Sequence, residues 1–208
     1  ANGKLIAIDV DGPTLSWSGS TVGTYGTFSI DSEGFWTFTA GAGAQALTDG
    51  DVVTDAFTTT VSDGIGGEAT LVVTITITGS NDAPVITSSA ADATGLVSDV
   101  GSSAESGEDA SALSRTATGQ LTASDLDDTN LVWSGSAAGA LGDLTIDPSG
   151  AWTYALRPEA DTLRDGDELI ESFVVTVDDG TDFAQETVTV IVIGAADAAK
   201  ISGDTTGD

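Results

Sequence analysis

Of the 33 acidic residues in this chain, 25 are aspartate and only 8 are glutamate. Aspartate is a short, oxygen-bearing ligand. In an irregular loop, carboxylates at i and i+2 can aim at one point, which suits calcium and its roughly six to eight oxygen ligands. Such pairs occur at Asp9/Asp11, Asp49/Asp51, Asp125/Asp127 and Asp165/Asp167, and single aspartates precede glycine at Asp63 and Asp179. Asn81-Asp82 adds an amide and a further carboxylate. The same residues are also good turn formers, and an acid-rich surface is what a salt-adapted protein carries. Both of these plainer readings stand beside the metal reading.

The remaining composition narrows the function classes. Five Lys+Arg against 33 acids leave a formal net charge of -28. That surface repels phosphate backbones and anionic lipid heads, so neither nucleic acid nor a membrane surface is an expected partner. No apolar run approaches the roughly 20 residues needed to cross a bilayer. The sequence begins at Ala1 with no signal peptide, as a mature product or a fragment would. Histidine and cysteine are absent. This removes the commonest general base and two nucleophile schemes. Paired carboxylates can cleave glycosidic bonds. Here, however, the pairs recur identically in two places, as joint chemistry would and a single active site would not. The expectation is a protein without enzymatic activity.

The recurrence extends to most of the chain. Gly3-Lys4-Leu5-Ile6-Ala7-Ile8-Asp9-Val10-Asp11 aligns with Gly119-Gln120-Leu121-Thr122-Ala123-Ser124-Asp125-Leu126-Asp127, an offset of 116 residues. Trp17-Ser18-Gly19-Ser20 meets Trp133-Ser134-Gly135-Ser136, and Gly34, Trp36 and Thr37 meet Gly150, Trp152 and Thr153. Asp49-Gly50-Asp51 and Asp63-Gly64 meet Asp165-Gly166-Asp167 and Asp179-Gly180. One residue is then lost, and Gly79 and Asp82 meet Gly194 and Asp197. Matches this dense and evenly spaced mark a tandem repeat.

The repeated segments read as strands. Val73, Ile75 and Ile77 alternate with threonines, and Val188, Val190 and Val192 repeat the pattern. Period-two alternation of β-branched residues marks a strand with one buried face. Ile30 to Trp36 and Ile146 to Trp152 read as hairpins, each with a turn-forming Asp and a Gly able to take positive φ. Trp17, Trp36, Trp133 and Trp152 fall in register with strand positions and are expected in the core. The fold class is all-β: two tandem antiparallel Greek-key β-sandwiches. The first repeat spans 1–80 and lacks its first strand. The second spans 81–196, with Ala83 to Thr87 as a leading strand. Residues 197–208 begin a further repeat or form a donor strand. Between Thr87 and Thr118, a polar stretch with Glu105, Glu108 and Asp109 reads as a mobile loop plus one short strand near Leu96-Val97.

In such a sandwich the loop after the second strand and the loop before the last share one pole. This arrangement brings Asp125, Asp127 and Asp179 beside Asn81 and Asp82, with Asp49/Asp51 approaching from the preceding repeat. Two bare carboxylates about 4 Å apart repel by roughly 1 kcal/mol in water and about 4 kcal/mol at an effective dielectric near 20, so a converging set calls for a cation.

With these motifs in place the chain resembles the VCBS repeat family of large bacterial surface proteins and RTX-type adhesins. The residues that carry the resemblance are Gly119 to Asp127, Trp133-Ser134-Gly135, Ile146-Asp147-Pro148, Gly150, Trp152-Thr153-Tyr154, Val177, Asp179-Gly180 and Gly79 to Pro84. These repeats look like bacterial relatives of cadherin domains. The resemblance implies Ca2+ at inter-repeat joints. It makes Asn81 and Asp82 the linker ligands, Asp125/Asp127 the D-x-D, Asp179 the aspartate before the last strand, and Asp49/Asp51 an acidic pair facing the next domain. Two departures matter: Ala196 replaces Asn81 in the second linker, and Asp9, Asp11 and Asp63 hold only half a site. The resemblance further implies secretion by a type I system to the cell surface, with neighbouring repeats, identical subunits, or surface glycans and proteins as partners. Beside the calcium-stiffened repeat module stand two alternatives. One is a filament subunit joined by β-strand complementation through residues 197–208. The other is a carbohydrate-binding module, which would need a Trp or Tyr25 outside the core.

Overall fold

The computed structural model describes residues 1–11, 14–99 and 114–195. The expected tail strand at 197–208, Ala196, Glu105, Glu108 and Asp109 lie outside the described residues. The chain divides into two compact units. The first comprises Ala1–Asp82 with Leu126–Asp128, and the second comprises Ala83–Asp125 with Thr129–Asp208.

In the first unit, one sheet runs β1-β5-β4-β3 and the other β2-β6-β7. The strands are β1 (Asn2–Lys4), β2 (Ser16–Ser18), β3 (Thr21–Val22), β4 (Gly26–Ile30), β5 (Phe35–Ala40), β6 (Val52–Ser62) and β7 (Glu68–Thr78). Every pairing is antiparallel. The alternation in β6 sends Phe57, Thr59 and Val61 inward, while Thr54, Ala56 and Thr58 face solvent. Phe28 and Phe38 from one sheet meet Phe57 and Ile75 from the other in a single cluster. The Phe28 and Phe57 rings stack with centroids 4.9 Å apart. Burying each of these side chains contributes about 1.5–3 kcal/mol, enough to hold two sheets face to face.

The hairpin from β4 to β5 shows how the sequence sets local geometry. The Asp31 carboxylate accepts the N–H groups of Glu33 and Phe35, both at 2.9 Å, and Gly34 takes φ +88°. A Cβ on Gly34 would also stand 2.5 Å from the Leu5 carbonyl and 3.0 Å from the Trp17 ring. Glycine is required there on both counts.

The second unit repeats this plan with a larger core. Its strands are β8 (Val85–Ile86), β9 (Thr94–Ser98), β10 (Thr116–Gln120), β11 (Ala123–Ser124), β12 (Val132–Ser134), β13 (Ala137–Ala138), β14 (Gly142–Ile146), β15 (Ala151–Leu156), β16 (Glu168–Asp178) and β17 (Phe183–Ile193). One sheet runs β10-β15-β14-β13, the other β12-β16-β17-β9, and β8 pairs with β11. Trp133, Trp152, Tyr154, Phe173 and Val190 are all buried in its core. The expected leading strand is present as β8, and the expected strand near Leu96-Val97 as β9.

An antiparallel sandwich was the expectation, and one strand departs from it. β9 lies parallel on β17, Thr94 opposite Thr189 and Ser98 opposite Ile193. It reaches that position from β8 through a turn at residues 90–93, so it is not the partner of a hairpin and is free to run either way. Among the described residues, the first unit has no strand at the corresponding place.

Candidate functional site

The aspartates sit at strand ends, and most hold their own turns together. Asp63 follows β6, and its Oδ1 accepts N–H groups from Ile65, Gly66 and Gly67 at 2.8, 3.0 and 2.9 Å. Asp179 follows β16 and accepts from Thr181 and Asp182 at 2.6 and 2.7 Å, again through Oδ1. The Asp9 carboxylate accepts the Asp11 N–H at 3.2 Å. Oδ2 of Asp51 accepts the N–H and hydroxyl of Thr48, and Asp167 accepts the Arg164 N–H at 2.9 Å. Asp49 and Asp165 are exposed at the tips of these turns. The turn reading of D-x-D and D-G is therefore correct in every loop, and it leaves Oδ2 of Asp63 and Asp179 outside these turn bonds.

β6 separates two poles of the first unit. Asp51 precedes it and Asp63 ends it, and eleven extended residues at roughly 3.3 Å each span about 35 Å. At the Asp63 pole, Asp9, Asp63 and Glu68 line one cleft of about 210 Å³. At the Asp51 pole, the Gly79 N–H donates to the Asp51 carbonyl at 2.9 Å, which fixes the start of the linker. Asn81 then donates from Nδ2 to the Asp82 carbonyl at 2.8 Å. The Asp82 N–H donates to Oδ1 of Asp127 at 3.3 Å, within the same compact unit. Linker and D-x-D loop thus meet directly. Asp125 and Asp127 each also keep Oδ2 buried.

The donor chemistry suits a hard cation. Every candidate ligand is a carboxylate or amide oxygen, and two carboxylate oxygens are already withdrawn from water, a desolvation that a bound cation offsets. Among the described residues, no three acidic side chains stand close enough together to enclose a metal ion. The arrangement brings Asp82 to Asp127 and Asp9 to Asp63, while Asp49 and Asp165 remain in solvent.

Three buried acids escaped the sequence reading. Asp55 is 7% exposed and accepts N–H groups from Thr24 and Tyr25 at 3.2 and 2.8 Å. Glu171, its counterpart 116 residues on, accepts from Ala140, from Leu141 at 2.9 Å, and from the Tyr154 hydroxyl. The signal was present, since both sit on the inward parity of an alternating strand where an acid must find donors. Asp99 is fully buried after β9 and accepts the Ala195 N–H. No sequence signal pointed to it, because its donor lies 96 residues away.

The tryptophans are core residues. Trp17, Trp133 and Trp152 are buried and Trp36 is half-buried, as is Tyr25. A flat exposed indole, the platform on which a sugar-binding reading would stand, is absent among the described residues.

Residues 1–79 match the sequence model of a family described as the bacterial cadherin-like domain, which supports a cadherin-like fold for the first unit. No curated protein matches the chain. Similar solved structures include human protocadherin-24 EC1-2, at 14% identity over 94% of this chain and 88% of that one, with TM-score 0.44. Drosophila N-cadherin EC1-4 is 13% identical over 95% of this chain and 46% of that one, with TM-score 0.46. An endo-fucoidan hydrolase of glycoside hydrolase family 107 is 20% identical over 89% of this chain, with TM-score 0.33. The chain spans 24% of that hydrolase's length.

Proposed function

We propose that this chain is an extracellular, non-catalytic structural or adhesive module of a bacterial surface protein, in which calcium at the aspartate loops stiffens the joint between successive repeats. The observation that carries this reading is the contact of Asp82 with Asp127. It links a linker acid to the D-x-D of the second copy, and the same acids recur at the same positions in both copies. Turn formation alone explains each loop singly, but it gives no reason for a linker residue to meet an acidic loop 45 positions away.

Asn81, Asp82, Asp125, Asp127 and Asp179 would hold the ion, with Asp49/Asp51 contributing from the preceding repeat. Asp9, Asp11 and Asp63 are the equivalent half-set in the first copy. Bound calcium supplies charge that draws together carboxylates which otherwise repel. The chain's own residues do the positioning: Gly79 anchors the linker on Asp51, and Oδ1 of Asp63 and Asp179 is occupied by the turn. The cadherin-like match of the first unit supports a joint-forming role, and the resemblance to VCBS repeats supports secretion by a type I route.

Thermal unfolding in calcium against chelator, repeated with magnesium, tests the reading. Calcium at about 100 times its dissociation constant stabilises the bound state by about 2.7 kcal/mol per site. A melting temperature that does not move on chelation would return the aspartates to turn formation and surface solvation.

A further inference from the structure

The second unit carries a strand that the first does not. β7 is the repeat counterpart of β17, because Val73 faces Phe57 as Val188 faces Phe173. β17 is flanked by β16 and β9, whereas β7 pairs with β6 alone among the described residues. The difference reaches the core. Val188, Val190 and Val192 are fully buried, but Val73 and Ile77 are only half-buried, and Leu71 and Val72 are 48% and 56% exposed. Trp152 is 1% exposed and its Nε1 donates to the Asp92 carbonyl, just ahead of β9, at 2.9 Å. Trp36, its counterpart, is half-buried.

The open edge is also undefended. From Ala69 to Thr78 it carries no charge and no proline, whereas soluble proteins normally blunt a long edge with lysine, proline or a bulge. Its hydrogen-bonding groups can be placed by repeat register. The Thr189 N–H donates outward to Ala93, at the start of β9, at 2.8 Å, so the Thr74 N–H at the same register position faces away from β6.

We propose that the free edge of β7 accepts a strand in trans, donated by another polypeptide, parallel to β7 and patterned like β9. The second unit specifies the pattern. Gly95 lies opposite Val190, and a Cβ there would meet Ala117 at 2.8 Å and the Trp152 ring at 3.1 Å. Opposite Ile75 the incoming residue must therefore be glycine, because Ala1 and Trp36 stand where Ala117 and Trp152 do. Val97 lies opposite Val192 and is fully buried, so opposite Ile77 the strand supplies an aliphatic anchor. Main-chain bonds give such strand addition its affinity and the alternate side chains its specificity. Residues 197–208 are not the donor: in repeat register they match 82–93 and carry the β8 part of the pattern without the β9 part.

The test uses the full chain and a synthetic peptide of residues 90–99. Because the other three indoles are buried, a change in tryptophan emission reports on Trp36. We expect a saturable blue shift and a raised melting temperature of the first unit. Thr74→Pro removes one outward N–H and leaves the ladder to β6 in place, since edge positions tolerate proline. It should weaken binding roughly tenfold while circular dichroism stays that of the parent chain. A peptide with Gly95→Val, which needs no change in the chain, should fail to bind. Absence of a saturable response, or equal binding of the two peptides, would overturn the proposal. So would dimerisation through β7 itself, abolished by Thr74→Pro and insensitive to peptide.

Discussion

Asp82 and Asp127 are joined across 45 positions by a main-chain N–H donating to a carboxylate at 3.3 Å. The bond needs an acceptor oxygen at position 127 and does not need a charge. Asp127→Asn keeps the acceptor and removes one negative charge from the set. Its melting temperature in chelator is expected to match the parent chain or exceed it slightly, because a repulsive partner is lost. The rise produced by calcium should fall by at least half. A full calcium response in Asp127→Asn, measured by scanning calorimetry, would remove this loop from the binding site.

Gly34 and Gly50 both adopt positive φ, +88° and +85°, in different surroundings. A Cβ on Gly34 would run into the Leu5 carbonyl at 2.5 Å, whereas a Cβ on Gly50 meets nothing within 4 Å. Gly50→Ala should therefore cost about 1 kcal/mol, the left-handed penalty alone. Gly34→Ala adds a backbone clash and should cost about 2–4 kcal/mol. Urea unfolding followed by tryptophan emission separates the two. Equal costs would mean that the loop around Leu5 yields freely.

The repeat register, the hairpins at Gly34 and Gly150 and the buried faces of β7 and β17 were legible because each is a local pattern. A turn is decided within four residues and a strand face within seven. The positions of Asp9 to Asp179 in loops were legible for the same reason. What escaped depended on distant partners. The chain Thr94-Gly95-Leu96-Val97-Ser98 showed a strand but not its parallel pairing, because its partner β17 lies about ninety residues on. Asp55 was overlooked because attention to acids in loops drew it away from an acid on the buried side of a strand. Its donors, Thr24 and Tyr25, are 30 residues or more away.

Asp55 and Glu171 perform one task in two copies, accepting main-chain N–H groups from the loop ahead of β4 and of β14. Removing the acceptor leaves two donors buried, each costing about 1–3 kcal/mol. Asp55→Ala is therefore expected to destabilise the first unit by about 2–4 kcal/mol, and Asp55→Asn, which keeps one acceptor oxygen, by less. Hydrogen exchange at Thr24 and Tyr25 should accelerate in Asp55→Ala with the second unit unaffected. Unchanged exchange there would show that these bonds contribute nothing to local stability.

Tyr154 makes the alkaline limit of the second unit a measurable property. Its ring is fully buried and its hydroxyl donates to Glu171. Burial first, and then the hydrogen bond to Glu171, push its phenol well above the usual tyrosine range. A group whose folded pKa is raised contributes stability that is complete below its unfolded pKa, about 10 for tyrosine, and lost as pH climbs beyond that value. The second unit should therefore weaken steadily above about pH 10, as unfolded chains gain a phenolate that the folded core refuses. Tyr154→Phe removes the ionisable group at some cost at neutral pH, because Glu171 loses a donor, and it should flatten the alkaline slope. The chain has two tyrosines, so in a Tyr25→Phe background phenolate absorbance reports Tyr154 alone. That absorbance should emerge only together with the unfolding signal. A phenolate appearing near pH 10 in a chain that is still folded would show that water reaches the hydroxyl and that Glu171 does not hold it.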